Sequence, residues 1–306
     1  MKQEKYAVVA IHGIGSGTES ERKGFSASLA KLVCVSQKKE VCLWHESVWE
    51  GENESFDRVM EKIADRLIKK DIFPSVFSIN GWRNRLRCLA AKIVCWFLKE
   101  QYGRVLVDYS MAVLDALFDF VRYLDSDNGR KMRAHVRKDI EECCKSHREG
   151  VVVIAHSLGS LIAYDALYEM VRDSVSDNIK AFITIGSPIQ WAFELREVDG
   201  KQEKDWLSLG EIPWFNFYYS EDPVSIDGPI KKEFFNNVQN ERLDLPEEFR
   251  KLQTSWKAHC AYWKDVAFAA KVRSIIGLND ITEEECQRRR SDKEVNAVTK
   301  QREHGK

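Results

Sequence analysis

Residues 151–167, VVVIAHSLGSLIAYDAL, limit the folds open to this chain more than any other segment does. The β-branched start predicts a strand buried on both faces, and the apolar spacing after Gly159 predicts a helix. Little chain remains for the turn between them, so Ser157 is expected in a strained backbone conformation, with small neighbours at Ala155 and Gly159. Such a turn would present the serine oxygen at the carboxyl end of a sheet. The alternative is an ordinary strand-to-helix turn in which Ser157 caps the helix.

Composition excludes several classes of protein. The chain has 306 residues, 44% of them hydrophobic, and 47 Lys and Arg residues nearly balance 48 Asp and Glu residues, for a net charge of −1. No overall field therefore attracts nucleic acid, and no nucleic-acid partner is expected. No apolar stretch is long enough to span a membrane, and the first residues indicate a strand, not a signal peptide. We therefore expect a cytoplasmic protein.

The cysteines also bear on the cellular compartment and on whether the chain binds a metal. None of the eight has CxxC spacing, so no metal site is predicted. In a chain without a secretion signal, these residues are expected to be reduced thiols. They are Cys34, Cys42, Cys88, Cys95, Cys143, Cys144, Cys260 and Cys286.

A glycine-rich turn, HGIGSG, follows the first predicted strand at residues 6–11. It resembles the dinucleotide-binding motif G-x-G-x-x-G, but Thr18 replaces the third glycine. That glycine would allow the following helix to pack closely against the strand, and threonine does not. A second interpretation is an oxyanion loop, in which glycines turn a backbone amide toward a substrate oxygen. An ordinary glycine-rich turn is the third interpretation.

The remaining apolar runs predict an α/β chain with a mostly parallel, doubly wound sheet of about six strands and helices on both faces. Residues 1–50 and 130–278 are expected to form the core, and the charged residues 279–306 a disordered tail. Strands are predicted at residues 6–11, 40–44, 151–155, 179–185, 213–219 and 234–238, and helices at 19–35, 130–145 and 255–276.

Residues 51–129 contain no convincing strand and are predicted to be a helical insertion. Two amphipathic segments stand out, at residues 84–99 and 105–124. They would form either a subdomain packed on the sheet or a cap that lines a substrate pocket. The basic residues 83–99, from Arg83 to Lys99, also suit peripheral contact with a membrane surface.

A reactive serine needs a base, and the base needs an acid that orients it. In enzymes with this turn the chain order is Ser, then Asp or Glu, then His. Only His259 and His304 follow Ser157, and His304 lies in the charged tail, so His259 is the candidate base. A histidine packed beside Trp256 and Trp263 is the alternative interpretation of His259.

The acid is expected in a loop at the carboxyl end of a strand. Asp222 meets this condition because the apolar run PWFNFYY ends just before it and Pro223 stops the strand. Asp227 is the reserve candidate and Glu221 a weaker one. An aspartate that only stabilises the turn, with no catalytic role, remains an alternative for Asp222.

These motifs together resemble the α/β-hydrolase superfamily, and more narrowly its lipase-like and esterase-like serine hydrolases. The matching motifs are HGIG, AHSLGSLIAYDAL, TIGSP, EDPV and AHCAYW. The chain departs from the pattern at Ala155, which replaces the first glycine of G-x-S-x-G, and in lacking the N-terminal antiparallel strand pair of many members. The insertion carries no matching motif.

The resemblance implies an α/β-hydrolase fold and assigns catalytic roles to specific residues of this chain. The nucleophile, acid and base fall on Ser157, Asp222 and His259, and the oxyanion amides on Ile14 and Leu158. The supporting loop would be His12, Gly13 and Gly15.

The expected activity is hydrolysis of a small-molecule or lipid carboxylic ester through an acyl-enzyme, without a cofactor. The same three residues would serve a thioesterase, an amidase or an acyltransferase. A non-catalytic interaction module on a hydrolase fold is the alternative from another class. The identity of the substrate and the oligomeric state do not follow from the residues.

Overall fold

A computed structural model of the chain describes the residues that form a central sheet and helices on both of its faces. Within these residues no helix is long and apolar enough to cross a membrane. Most of the predicted insertion, including residues 83–99, and the predicted tail lie outside the described residues. The described residues are 6–13, 24–36, 39–40, 42–48, 123, 126–147, 149–190, 192, 208–222, 224–225, 229–231, 235, 237–250 and 255–278.

A six-stranded sheet forms the centre of the structure, and every neighbouring pair of its strands is parallel. Its strands are β1 (Ala7–Ile11), β4 (Leu43–Ser47), β5 (Val151–His156), β6 (Ile179–Ile185), β7 (Trp214–Tyr218) and β8 (Val238–Arg242). Their order across the sheet is β4-β1-β5-β6-β7-β8. A separate antiparallel pair is formed by β2 (Val35–Ser36) and β3 (Lys39–Glu40). Strands β1 and β5 are buried along their whole length, as continuous apolar runs in a covered parallel sheet should be.

Helices cover both faces of this sheet. In the described part of the chain the α-helices are α1 (Ala27–Cys34), α2 (Ser126–Ser146), α3 (Leu158–Arg172), α4 (Glu247–Arg250), α5 (Ser255–Ala261) and α6 (Val266–Ile275). Helices α2 and α3 share one apolar core with the sheet, and residues of α1, α5 and α6 share the other. The predicted doubly wound α/β fold, with a parallel sheet of six strands, is confirmed.

The second core strand differs from its predicted position. The apolar run at residues 40–44 predicts a strand there, whereas β4 covers Leu43–Ser47 and pairs with β1 from Ala7↔Leu43 to Ile11↔Ser47. Pairing with the central strand decides the position, because the chain first turns back through the short β2–β3 pair.

The predicted helix at residues 255–276 is also wrong as one continuous element. Helix α5 ends at Ala261, a 3-10 turn covers Tyr262–Lys264, and α6 begins at Val266. Asp265 between them has φ −75° and ψ 120°, and its carboxylate accepts hydrogen bonds from the N–H groups of Ala267 and Phe268. An aspartate cap therefore starts a new helix where apolar spacing alone predicts a continuation.

The prediction that all the cysteines are free thiols is wrong for Cys34 and Cys42, which form a disulfide. Cys34 ends α1 and Cys42 precedes β4, and the β2–β3 pair folds the chain back so that their Cα atoms lie 4.8 Å apart. The prediction used the absence of a secretion signal and took no account of this local geometry.

Candidate active site

Ser157 lies between the last residue of β5 and the first residue of α3. Its backbone has φ 54° and ψ −134°, a region that non-glycine residues rarely adopt. Its N–H donates to the carbonyl of Ile185 at the end of β6, 3.1 Å away, which anchors the turn to the neighbouring strand. The side chain makes no capping hydrogen bond to the helix, so the alternative of an ordinary serine cap does not describe this turn.

Two glycines allow the loop after β1 to lie against this turn. A Cβ atom added at Gly13 would lie 2.5 Å from Ser157 Cβ and 3.1 Å from Ser157 Oγ. A Cβ atom added at Gly159 would lie 2.0 Å from the carbonyl oxygen of His12. Larger residues at either position would push the His12–Gly13 backbone away from the serine. The tight approach of two backbones is therefore the reason for glycine at both positions.

Asp222 and His259 form a buried, hydrogen-bonded pair. His259 Nδ1 lies 3.0 Å from Asp222 Oδ1 and 3.1 Å from Oδ2, and both residues are at most 4% exposed. Asp222 follows the end of β7, and His259 lies on α5. Since an ionised carboxylate only accepts hydrogen bonds, the Nδ1 atom of His259 carries the proton.

Three further donors reach the same carboxylate. Asp222 accepts from the Val224 N–H at 2.9 Å, the Ser225 hydroxyl at 3.1 Å and the Tyr262 hydroxyl at 2.8 Å. Burial by itself would raise the pKa of Asp222, but the nearby His259 and the hydrogen bonds from Val224 and Tyr262 lower it below the ordinary value. The carboxylate is therefore ionised and held in one orientation.

Tyr262 joins this carboxylate to the strand that precedes it. Its hydroxyl donates to Asp222 and accepts from the Tyr219 N–H at 3.0 Å, and the two tyrosine rings stack with centroids 4.3 Å apart. Burial and the charge of Asp222 raise the pKa of Tyr262 well above its ordinary value, so the phenol keeps its proton. The sequence reasoning missed Tyr262. Its position three residues after His259 was the available signal, because that spacing puts both side chains on one face of a helical turn.

Gly186 connects the serine turn with the buried pair. It follows β6 directly after Ile185, the residue that accepts the Ser157 N–H, and has φ +54°. A Cβ atom added here would lie 2.8 Å from Asp222 Oδ2 and 3.0 Å from His259 Nδ1. The ends of β5, β6 and β7 thus bring the Ser157 turn, Gly186 and Asp222 to one edge of the sheet, and α5 places His259 against Asp222 at this edge. Parallel α/β sheets bind ligands at the carboxyl ends of their strands.

His156 is a second residue that the sequence reasoning missed. Its Nε2 atom lies 2.7 Å from the carbonyl oxygen of His259, and the two imidazole rings have centroids 4.4 Å apart. Burial and the charge that His259 can carry lower the pKa of His156 to about 3, so this ring is neutral. Its signal in the sequence was its place immediately before Ser157.

The other predicted site residues fall into three groups. Leu158 is buried at the first position of α3, where helix N–H groups lack partners within the helix, and His12 and Gly13 lie in the loop against Ser157. Glu221 is exposed and bonded to the Ser220 hydroxyl, so it does not join the buried pair. Outside the described residues lie the predicted oxyanion residue Ile14, the supporting residue Gly15 and the reserve acid Asp227.

Replacing Gly186 by alanine is expected to lower turnover on the order of 100-fold, because the new methyl group would push Asp222 and His259 apart. Steady-state kinetics on a p-nitrophenyl ester would measure the loss. Gly277→Ala is the matched control: Gly277 has φ +73° but no atom within 4 Å of an added Cβ. Both variants should lose about 1–2 kcal/mol of stability to backbone strain, and only Gly186→Ala should lose turnover. Equal turnover in the two variants would contradict this prediction.

The buried neutral His156 is expected to make the fold sensitive to mild acid. Its pKa is about 3 in the folded chain against an ordinary value of 6.5, so the unfolded chain takes up the proton first as pH falls. This contribution to stability is complete above pH 6.5 and is lost progressively toward pH 3. Between pH 7 and pH 5 the wild type should lose about 2 kcal/mol more unfolding free energy than His156→Gln.

Urea unfolding at several pH values would measure that difference. Asp222, His259 and His12 also act electrostatically on His156. They are present in both proteins, so the difference between the two unfolding curves reports mainly on His156. Parallel pH dependences for wild type and variant would contradict the prediction.

Comparison with known protein families gives a match to part of the chain. Residues 113–198, which include Ser157, match the family model described as Lecithin:cholesterol acyltransferase. None of the curated proteins matches the chain. Among solved structures, the monoclinic form of a Pyrobaculum calidifontis esterase aligns with a TM-score of 0.35 and 14% sequence identity. That alignment covers 87% of this chain and 78% of the esterase chain.

Proposed function

We propose that this chain, which has the fold of the α/β-hydrolase superfamily, cleaves carboxylic esters with Ser157 as nucleophile. The family match favours an ester-acting hydrolase or acyltransferase. The observation that carries the proposal is the buried Asp222–His259 hydrogen bond at the sheet edge where Ser157 has its strained backbone. A purely structural role would not need a strained serine, a paired histidine and an ionised buried carboxylate at one edge.

The reaction follows from the way the histidine is held. Asp222 accepts the Nδ1 proton of His259, which leaves Nε2 as the nitrogen that takes the Ser157 proton while Oγ attacks the ester carbonyl. The same proton then passes to the departing alcohol. Water, activated by His259, hydrolyses the acyl-enzyme and releases the acid. Asp222 stays ionised throughout and stabilises the positively charged imidazole.

The oxyanion of the tetrahedral intermediate needs hydrogen-bond donors close to Ser157. The Leu158 amide suits this task because it begins α3, where the helix dipole also favours negative charge. The second donor in the proposal is the Ile14 amide, directly after Gly13, whose backbone lies against the Ser157 side chain. Each such donor typically lowers the barrier by roughly 3 kcal/mol.

An acyltransferase is the second candidate, because the matching family model is described as an acyltransferase. The acyl-enzyme would be the same, with an alcohol replacing water in the second step. Mechanistically the two activities differ only in which nucleophile reaches the acyl carbonyl, so the buried pair is equally suited to both.

A fluorophosphonate probe tests the proposal directly, because it bonds covalently only to an activated serine. We expect wild-type protein to be labelled and to hydrolyse p-nitrophenyl esters, with heat-denatured protein unlabelled. Adding a long-chain alcohol and measuring the ratio of new ester to free acid separates acyltransferase from hydrolase. A folded protein that is neither labelled nor active would overturn the proposal in favour of an interaction module.

A further inference from the structure

His156, which directly precedes Ser157, contacts helix α5, the helix that carries His259. We propose that His156 is a positioning residue, which holds His259 in place through its backbone carbonyl; this inference rests on the proposed function. His156 is the last residue of β5 and precedes Ser157. One residue pair therefore links the strand that presents the serine to the helix that presents the histidine.

The direction of the hydrogen bond follows from its chemistry. The His259 carbonyl oxygen can only accept, so His156 Nε2, 2.7 Å away, carries the proton and donates it. His156 is buried, and the Trp263 ring meets it edge-on at 5.5 Å between centroids. The imidazole is therefore packed in one orientation, with its N–H directed at that carbonyl.

Helix α5 needs such support from its surroundings. It covers only Ser255–Ala261, and a helix this short is not stable by itself. The His259 carbonyl lies in the last turn of α5. The His156 donor ties that carbonyl to the end of β5, and the two imidazole rings, with centroids 4.4 Å apart, pack α5 against β5.

This placement sets the geometry that proton transfer requires. The hydrogen bond from His259 Nδ1 to Asp222 orients the imidazole ring. The hydrogen bond from His156 to the His259 carbonyl sets where the backbone of His259 lies relative to the Ser157 turn. A displacement of about 1 Å between nucleophile and base can cost on the order of 100-fold in rate. His156 does not touch the reacting atoms in this proposal, so its effect should fall on kcat and not on KM.

The test compares two amides at position 156. In His156→Gln the amide nitrogen can reach the position of Nε2 and keep the donor, whereas the shorter side chain of His156→Asn withdraws it. We expect His156→Asn to lose about 30-fold or more in kcat with KM within about twofold, and His156→Gln to stay within about fivefold of wild type. If His156→Asn fails to fold, His156→Met, which fills the space without a donor, takes its place.

His147→Met is the matched control. His147 also directs a ring nitrogen at a backbone carbonyl at a helix end, with 2.9 Å between Nδ1 and the Cys143 oxygen, but it lies at the end of α2. We expect this variant to keep wild-type kcat and KM. A loss equal to that of His156→Asn would overturn the positioning role, because it would show a general effect of removing such bonds.

A second readout does not depend on activity. The His259 Nδ1 proton, bonded to Asp222, should give a downfield proton resonance in wild type and in His156→Gln, and this resonance should be lost or broadened in His156→Asn. Unchanged kcat in His156→Asn overturns the inference, and so does an unchanged resonance with lowered kcat. Wild-type protein without esterase activity overturns the proposed function alone, because the resonance still decides whether His156 positions His259.

Discussion

Replacing Ser157 by alanine is expected to remove nearly all ester hydrolysis, lowering kcat on the order of 10⁴-fold or more. Without the Ser157 hydroxyl the proposed acyl-enzyme cannot form, so only binding and oxyanion stabilisation remain to accelerate direct attack by water. Stability should change little, because Ser157 already has a positive φ and alanine bears the same strain. Burst-phase kinetics would show the loss of the acyl-enzyme, and the fluorophosphonate label should be lost with it.

Ser174 provides the matched control for this substitution. It is the other non-glycine residue with positive φ among the described residues, at 56°, and it lies exposed after the end of α3. Ser174→Ala should keep full labelling and full turnover. If Ser157→Ala retained more than a tenth of wild-type activity, the nucleophile would have to be another residue.

The serine turn is the part of the site that sequence predicts best. Its constraints are local: a buried strand, a helix that starts at once, and small residues on both sides of Ser157. Strands β5 and β6 are predicted within a residue of their observed ends, because continuous β-branched runs leave few alternatives in a buried parallel sheet.

Features that depend on how distant segments meet could not be predicted. The Tyr262–Asp222 hydrogen bond joins residues 40 positions apart, and Tyr262 lies in the 3-10 turn that precedes the Asp265 cap. The contact of His156 with the His259 carbonyl joins residues 103 positions apart in sequence. The position of β4 likewise follows from its pairing with β1, which no single stretch of sequence encodes, whereas the Cys34–Cys42 disulfide depends on the local β2–β3 turn between the two cysteines.

Replacing Asp222 by asparagine is expected to keep the fold and to lower kcat by about 10⁴-fold, through the wrong tautomer of His259. In wild type every group around this carboxylate is a donor: the His259 ring, the Val224 N–H and the hydroxyls of Ser225 and Tyr262. An amide brings two donor hydrogens into this environment. His259 Nδ1 then gives up its proton to accept from the amide, and Nε2, now protonated, cannot take the serine proton.

Glu221→Gln is the matched control for this last substitution, because it neutralises the adjacent carboxylate, which is exposed and bonded to Ser220. It should leave turnover unchanged on the same p-nitrophenyl ester, and Asp227→Asn should do the same. The kcat of Asp222→Asn should recover in part as pH rises, since hydroxide can attack without the histidine. Full activity in Asp222→Asn together with a large loss in Asp227→Asn would move the acid to Asp227. That outcome would leave the four donors around Asp222 with a purely structural role, namely fixing the loop after β7 against α5.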